Sequence, residues 1–203
     1  RLKQCSIESG HKIAQIPAQN SDKRIAGVKA INAGFIPNEL LICVGCKIML
    51  RRNIFTCYGI NNGAMGIVRD IIYSKDAKLN SLPECIMIEF PDYKGQQYFE
   101  NPEYKNIIPL RPITSDVDCK LSGSYSRRGF PISLGYAFTI HKCQGLTFQD
   151  GAVVDIGDRE KSSGMTYVAL SRATDIKDIF IKYFDYDRYS NIGKSSELYQ
   201  KFT

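Results

Sequence analysis

Thr139-Ile140-His141-Lys142-Cys143-Gln144-Gly145-Leu146-Thr147, with Tyr167-Val168-Ala169-Leu170-Ser171-Arg172-Ala173 downstream of it, is the stretch on which the reading of this chain turns. Each segment closes an apolar run with polar groups suited to phosphate. The Thr139 hydroxyl, the His141 imidazole and the Lys142 ammonium can each donate a hydrogen bond to a phosphate oxygen. Lys142 adds a point charge, Gln144 can donate and accept, and Gly145 lets a backbone approach a ligand closely. The same residues also describe a helix end stopped by glycine, with its polar side chains in solvent. Arg172 follows an apolar helix and a serine. An arginine there can stabilise charge developing in phosphoryl transfer, or simply sit where a helix dipole favours cations.

Outward from these segments the pattern changes twice. After Pro131, Leu134, Ala137, Phe138 and Ile140 recur at helical spacing, with Gly145 as the stop, and predict a helix. Residues 152–156 read as a buried strand, and 163–173 as a helix with Met165, Val168 and Ala169 on one face. Residues 178–184 read as a strand and 195–202 as a last helix. Alternating helices and strands imply a mostly parallel sheet. Upstream, 11–16 reads as a short strand, and 46–50 is the most strand-like part of the apolar run 40–51. Residues 54–63 form a loop ending in the turn triplet Asn61-Asn62-Gly63. Three strands follow, at 66–73, 85–90 and 106–110, and suggest a small all-β unit. The polar segment 114–129 reads as a connecting loop.

Composition narrows the class. Hydrophobic residues at 43% and charged residues at 24% are ordinary for a globular protein, and no apolar run approaches the roughly eighteen residues that span a bilayer. The net charge of +6, from 27 Lys and Arg against 21 Asp and Glu, permits phosphate binding without requiring it. Arg51, Arg52, Arg127 and Arg128 flank the β unit; they could guide a phosphate backbone, and solvated surface is the plainer expectation. Tyr93, Tyr98, Phe99 and Tyr104 lie beside Lys94 and Lys105. They could stack bases, but are expected to cover a small core. The seven cysteines are scattered and odd in number, which favours free thiols in a reducing compartment. Cys43-Val44-Gly45-Cys46 has the spacing of half a zinc site; with His11 and His141 the only histidines and no second pair, four ligands are not expected. The chain opens on Arg1 rather than Met, as an internal piece of a longer chain would.

Three blocks, in order, resemble the PIF-type and RecD-like DNA helicases of superfamily 1, group B. The first runs from 40–53 into Asn61-Asn62-Gly63-Ala64-Met65-Gly66-Ile67-Val68, the second is 130–147, and the third is Gly164 through Arg172-Ala173-Thr174. The resemblance implies an α/β fold: part of a RecA-like parallel sheet of the P-loop NTPase type, here the second motor domain, with an inserted small β-barrel. It divides the chain into 1–51 and 131–203 for the motor domain and 52–130 for the insertion. It also implies that Thr139, His141 and Lys142 face single-stranded DNA, that Gln144, Gly145 and Thr147 lie near the nucleotide, and that Arg172 is the arginine finger. Cys143 stands where many relatives carry serine.

No G-x-x-x-x-G-K-[ST] occurs in the chain. By resemblance that motif, and the residues holding Mg²⁺ with ATP, belong to a first RecA-like domain in cis. The resemblance therefore implies the C-terminal part of an ATP-dependent 5′-to-3′ DNA helicase, inactive alone. Its expected partners are single-stranded DNA and duplex junctions, not a membrane, and its expected compartment is the nucleus, then the mitochondrion. DNA repair, recombination and telomere maintenance are the implied processes. The rival reading is a non-catalytic nucleic-acid-binding remnant, for instance from a mobile element. A purely structural domain would bind no DNA even at low salt.

Overall fold

The computed structural model describes residues 1–77, 81–148, 151–157 and 164–183. The chain forms two compact units, Arg1–Ala137 and Phe138–Thr203.

The first unit begins with helix α1 (Leu2–Ser9), which ends at Gly10 in the left-handed conformation. Strands β1 (Ala14–Pro17), β2 (Gln19–Asn20), β3 (Glu39–Ile42) and β4 (Lys47–Leu50) follow. Then come β5 (Met65–Ile72), β6 (Cys85–Glu89), β7 (Ile107–Leu110), β8 (Ile113–Asp116), β9 (Ser126–Gly129) and β10 (Ile132–Leu134). The main sheet has five strands in the order β10-β4-β5-β6-β7, every pairing antiparallel. A three-stranded sheet β2-β9-β8 and the antiparallel pair β1-β3 complete the unit.

Alternation explains the main sheet. Ile86 and Ile88 of β6 and Val68 of β5 are fully buried, with Ile48 and Leu50 of β4 beside them. Successive side chains of a strand point to opposite faces, so one face of each strand enters the core. Gly66 is in β5 because strand β6 comes too close for a side chain: a Cβ there would meet Ile88 Cγ2 at 2.5 Å and the Glu89 carbonyl at 3.0 Å. The strands expected at 66–73, 85–90 and 106–110 are present within a residue or two. The apolar run 40–51 is split by Gly45, at φ 85, into β3 and β4.

Cys43 and Cys46 are core residues with no solvent exposure, packed with Cys5 and Tyr136. Burial pushes the Cys43 thiol up to about 12. All seven cysteines are free.

Two expectations are corrected here. The helix predicted from Leu134 to Gly145 is absent. Ile132 to Leu134 pair with Leu50 to Ile48 as strand β10, and only a 3-10 turn, Ile140–Lys142, follows. The apolar spacing suited a helix, but the long-range ladder with β4 satisfies the backbone instead. The polar loop predicted at 114–129 forms the β8–β9 pair at its two ends, with 117–125 as the loop between them. Its pattern misled because Arg127, counted as a surface cation, is an inward-facing strand residue with no exposure.

In the second unit β11 (Ala152–Asp155) pairs in parallel with β12 (Ile179–Lys182). Helix α2 (Met165–Leu170) lies between them in sequence. Val154, Ile156 and Ala169 form its core, with Ile140, Leu170, Ile179 and Ile181 packed against them. The helix is shorter than the predicted 163–173, and its buried residues are Thr166 and Ala169. The helix expected at 195–202 falls outside the described residues. The chain is thus a mixed α/β protein with a parallel pairing only in the second unit, among the described residues.

Candidate nucleic-acid and nucleotide site

The 3-10 turn Ile140–Lys142 is closed by its own backbone. The Lys142 and Cys143 amides both donate to the Thr139 carbonyl, at 2.8 and 3.2 Å. Ile140 is drawn into the core of the second unit, which leaves Thr139, His141 and Lys142 exposed around it. Cys143 points inward at 6% exposure and its Sγ donates to the Ile140 carbonyl at 2.9 Å. Burial raises its thiol pKa, and the neighbouring Arg172 guanidinium partly opposes that. Gly145 takes φ 83, and a Cβ there would meet no atom of the protein within 4 Å, so within this chain the glycine serves the turn. Gln144, Gly145 and Thr147 are exposed.

Arg172 follows the end of α2 and reaches back to this loop. Its Nε donates to the Val168 carbonyl at 2.9 Å and its NH2 to Ser171 Oγ at 2.8 Å. Its NH1 reaches the Leu146 carbonyl at 3.5 Å, a long contact. The Phe148 amide donates to the Arg172 carbonyl at 2.8 Å, and Phe148 pairs in parallel with Ala173 as an isolated bridge. Phe148 also stacks on Phe138, with ring centroids 5.9 Å apart. Two sequence segments that are separate in the chain therefore form one structural piece.

The six candidates between Thr139 and Thr147 share one exposed loop, and Arg172 is held against its distal end. The sequence reading missed the positioning groups: Ser171 Oγ, the Val168 and Leu146 carbonyls, and the Phe138–Phe148 stack. Ser171 beside Arg172 was the available signal; the carbonyls leave no trace in sequence.

Other expectations are redistributed. Tyr98 and Tyr104 are 53% and 48% exposed, so they do not cover a core; only Tyr93 packs against it. Arg127 is an internal scaffold arginine. Arg52 and Arg128 are exposed and Arg51 is half-buried. The Asn61-Asn62-Gly63 turn is present, with Gly63 at φ 99 and the Asn62 amide donating to Asn53 Oδ1 at 2.8 Å. Among the described residues, no three His, Cys, Asp or Glu side chains come together to hold a metal ion, and no helix is long and apolar enough to cross a membrane.

No family model matches the sequence. The chain is 28% identical over 186 residues to the ATP-dependent DNA helicase PIF7 of Trypanosoma brucei brucei, covering 81% of this chain and 18% of that protein. It is 32% identical over 162 residues to the ATP-dependent DNA helicase Pif1 of Campylobacter jejuni, covering 77% of this chain and 33% of that one. Pif1 helicase from Bacteroides, solved in complex with ADP-AlF3 and single-stranded DNA, shares the fold. Its TM-score is 0.60 at 23% identity, over 92% of this chain and 38% of the other. The chain thus spans a third or less of the length of these two relatives. It is a relative of the PIF1-type helicases of superfamily 1, group B.

Proposed function

We propose that this chain is the second motor portion of an ATP-dependent 5′-to-3′ DNA helicase. Residues 1–51 and 131–203 would form its RecA-like domain and 52–130 its inserted β-barrel, whose sheet is continued by β4 and β10. The observation that carries the reading is the tie between the two motif segments. Arg172 is tied to the 139–148 loop by the Phe148 amide bond, the Phe148–Ala173 bridge and the Leu146 contact, so a group on the loop and the Arg172 guanidinium would respond to the same ligand.

Thr139, His141 and Lys142 would contact phosphates of a single strand, exposed as they are on the turn. Gln144, Gly145 and Thr147 would lie beside the nucleotide. Arg172 would act as the arginine finger: its long NH1 contact to the Leu146 carbonyl can be exchanged for a γ-phosphate oxygen while Nε stays anchored on Val168. ATP would supply the phosphoryl chemistry. A P-loop domain in cis would complete the site and hold Mg²⁺. The chain alone would hydrolyse no ATP. Free cysteines suit a reducing compartment, the nucleus or the mitochondrion, and we infer roles in DNA repair, recombination or telomere maintenance at duplex junctions.

Two experiments test this. Binding of the chain to fluorescein-labelled oligo(dT) should weaken steeply with salt, and Lys142→Ala should lower the slope by about 1. Salt-independent binding, or none at low salt, would overturn the DNA contact. In the chain joined to its P-loop domain, Arg172→Ala should cut ATP turnover by about 10³-fold or more; unchanged turnover refutes the finger.

A further inference from the structure

In the first unit a cavity of about 180 Å³ is lined by Ile31, Phe35, Pro37, Arg51, Ile132 and Ser133, among others. Its walls are apolar except for Arg51 and Ser133. The Arg51 guanidinium lies 5.3 Å from the centre of the Phe35 ring. Its Nε–H is buried and has no hydrogen-bond partner. A buried donor left unmatched is destabilising.

The wall that carries Phe35 is backbone-determined. Gly34 sits at φ 61 and Phe35 at φ 62, a conformation rare for an aromatic residue. The Phe35 amide donates to the Ala30 carbonyl at 2.7 Å, and fully buried Ile36 anchors the next residue. Ile31, at the mouth, is left 64% exposed. A second guanidinium stands at the same turn: a Cβ at Gly34 would lie 3.2 Å from Arg52 NH1, and Arg52 is exposed.

Apolar and aromatic walls with one or two orienting polar groups suit a small planar ligand. A cavity of about 150 Å³ accepts a benzene-sized ring, so this one accommodates a pyrimidine and is tight for a purine. Unstacked bases of single strands are held on aromatic rings and guanidinium planes. We propose that the cavity takes one unstacked pyrimidine of a single DNA strand. The base lies against the apolar wall and the Phe35 ring with the Arg51 guanidinium beside it, and the adjoining backbone phosphate faces Arg52. This rests on the DNA-binding reading above and adds to it a base-holding subsite in the first unit.

The test is photo-crosslinking of the chain to oligo(dT) carrying 5-iodouracil, with adducts mapped by mass spectrometry. The expected adduct is on Phe35, in tryptic peptide 30–47, and oligo(dT) should compete for it better than oligo(dA). Ile31→Glu, at an exposed position, should abolish that adduct and weaken binding by about 5-fold or more. Adducts confined to other peptides, with DNA still bound, would overturn the subsite and leave the DNA reading standing. An adduct on Phe35 that survives Ile31→Glu and is equally competed by oligo(dA) would place the base on the surface and also overturn it. No DNA binding at low salt would sink both readings.

Discussion

Replacing Arg127 with methionine should unfold the first unit far more readily, although the substitution preserves much of the side chain's length. Arg127 is completely buried. Its Nε donates to Asn20 Oδ1 at 2.8 Å, its NH1 to the carbonyls of Val28 and Ile36 at 3.0 and 3.1 Å, and its NH2 to Ile25 at 2.6 Å and Ala26 at 3.5 Å. These acceptors all lie in the segment 20–36, which has little regular structure of its own. The guanidinium is therefore what folds that segment onto β9. A hydrogen bond to a charged group contributes about 1.5–3 kcal/mol, so the four short ones would sum to about 6–12 kcal/mol gross. Against this stands the cost of burying a charge among neutral acceptors, several kcal/mol. That cost has the same cause as the lowered pKa of Arg127, which is its burial. The net loss for Arg127→Met should be about 3–5 kcal/mol, a large part of the 5–15 kcal/mol or so that holds a domain together. Urea unfolding followed by far-ultraviolet circular dichroism reads it directly. Arg127→Lys should be nearly as damaging, because an ammonium cannot span the same fork of acceptors. A loss under about 1 kcal/mol for the Met variant, or a neutral Lys variant, would refute the argument.

Gly66→Ala should cost about 1–3 kcal/mol, since its Cβ must displace Ile88 Cγ2 and press on the Glu89 carbonyl; thermal melting checks it, and an unchanged melt would contradict the strand spacing. A thiol reagent at mild alkaline pH should modify one cysteine quickly, Cys57, the exposed one, while Cys43 and Cys46 react only on unfolding; peptide mapping reads the order. Stability should fall between about pH 9 and pH 12. Burial pushes both Cys43 and Tyr136 up to about 12, so the folded state keeps protons that the unfolded state releases first. The contribution is intact below the unfolded thiol value of about 8.5 and is lost towards 12, by at most about 1.4 kcal/mol per pH unit for each group. Flat stability up to pH 11 would show that these groups titrate normally.

The strands of the main sheet were legible because their signal is local. β5 and β6 alternate, are rich in Ile and Val, and are bounded by turn residues. The segment around β10 carried an equally clear apolar spacing and was read as a helix. Its partner β4 lies some eighty residues earlier, and no local pattern reports that ladder. Arg127 shows the same limit from the polar side: periodicity counts an arginine as surface, and only the ring of carbonyls from 25–36 makes it an interior residue. In the same way the Phe35–Arg51 cavity draws on three segments far apart in the chain.

For the candidate site the division is sharper. Residue types within 139–147 and 167–173 allowed a phosphate-facing reading of Arg172 and its loop beside a plain helix-end reading, and the resemblance of three ordered blocks to the PIF-type helicases, not the spacing, is what singled the first one out. Their being one piece was not readable. It depends on the Leu146 carbonyl, the Phe148 amide and the Phe138–Phe148 stack, contacts made largely by backbone atoms and by aromatic packing. Side-chain chemistry is written in the sequence; the backbone groups that aim it are the same in every residue, and only the tertiary fold decides where they point.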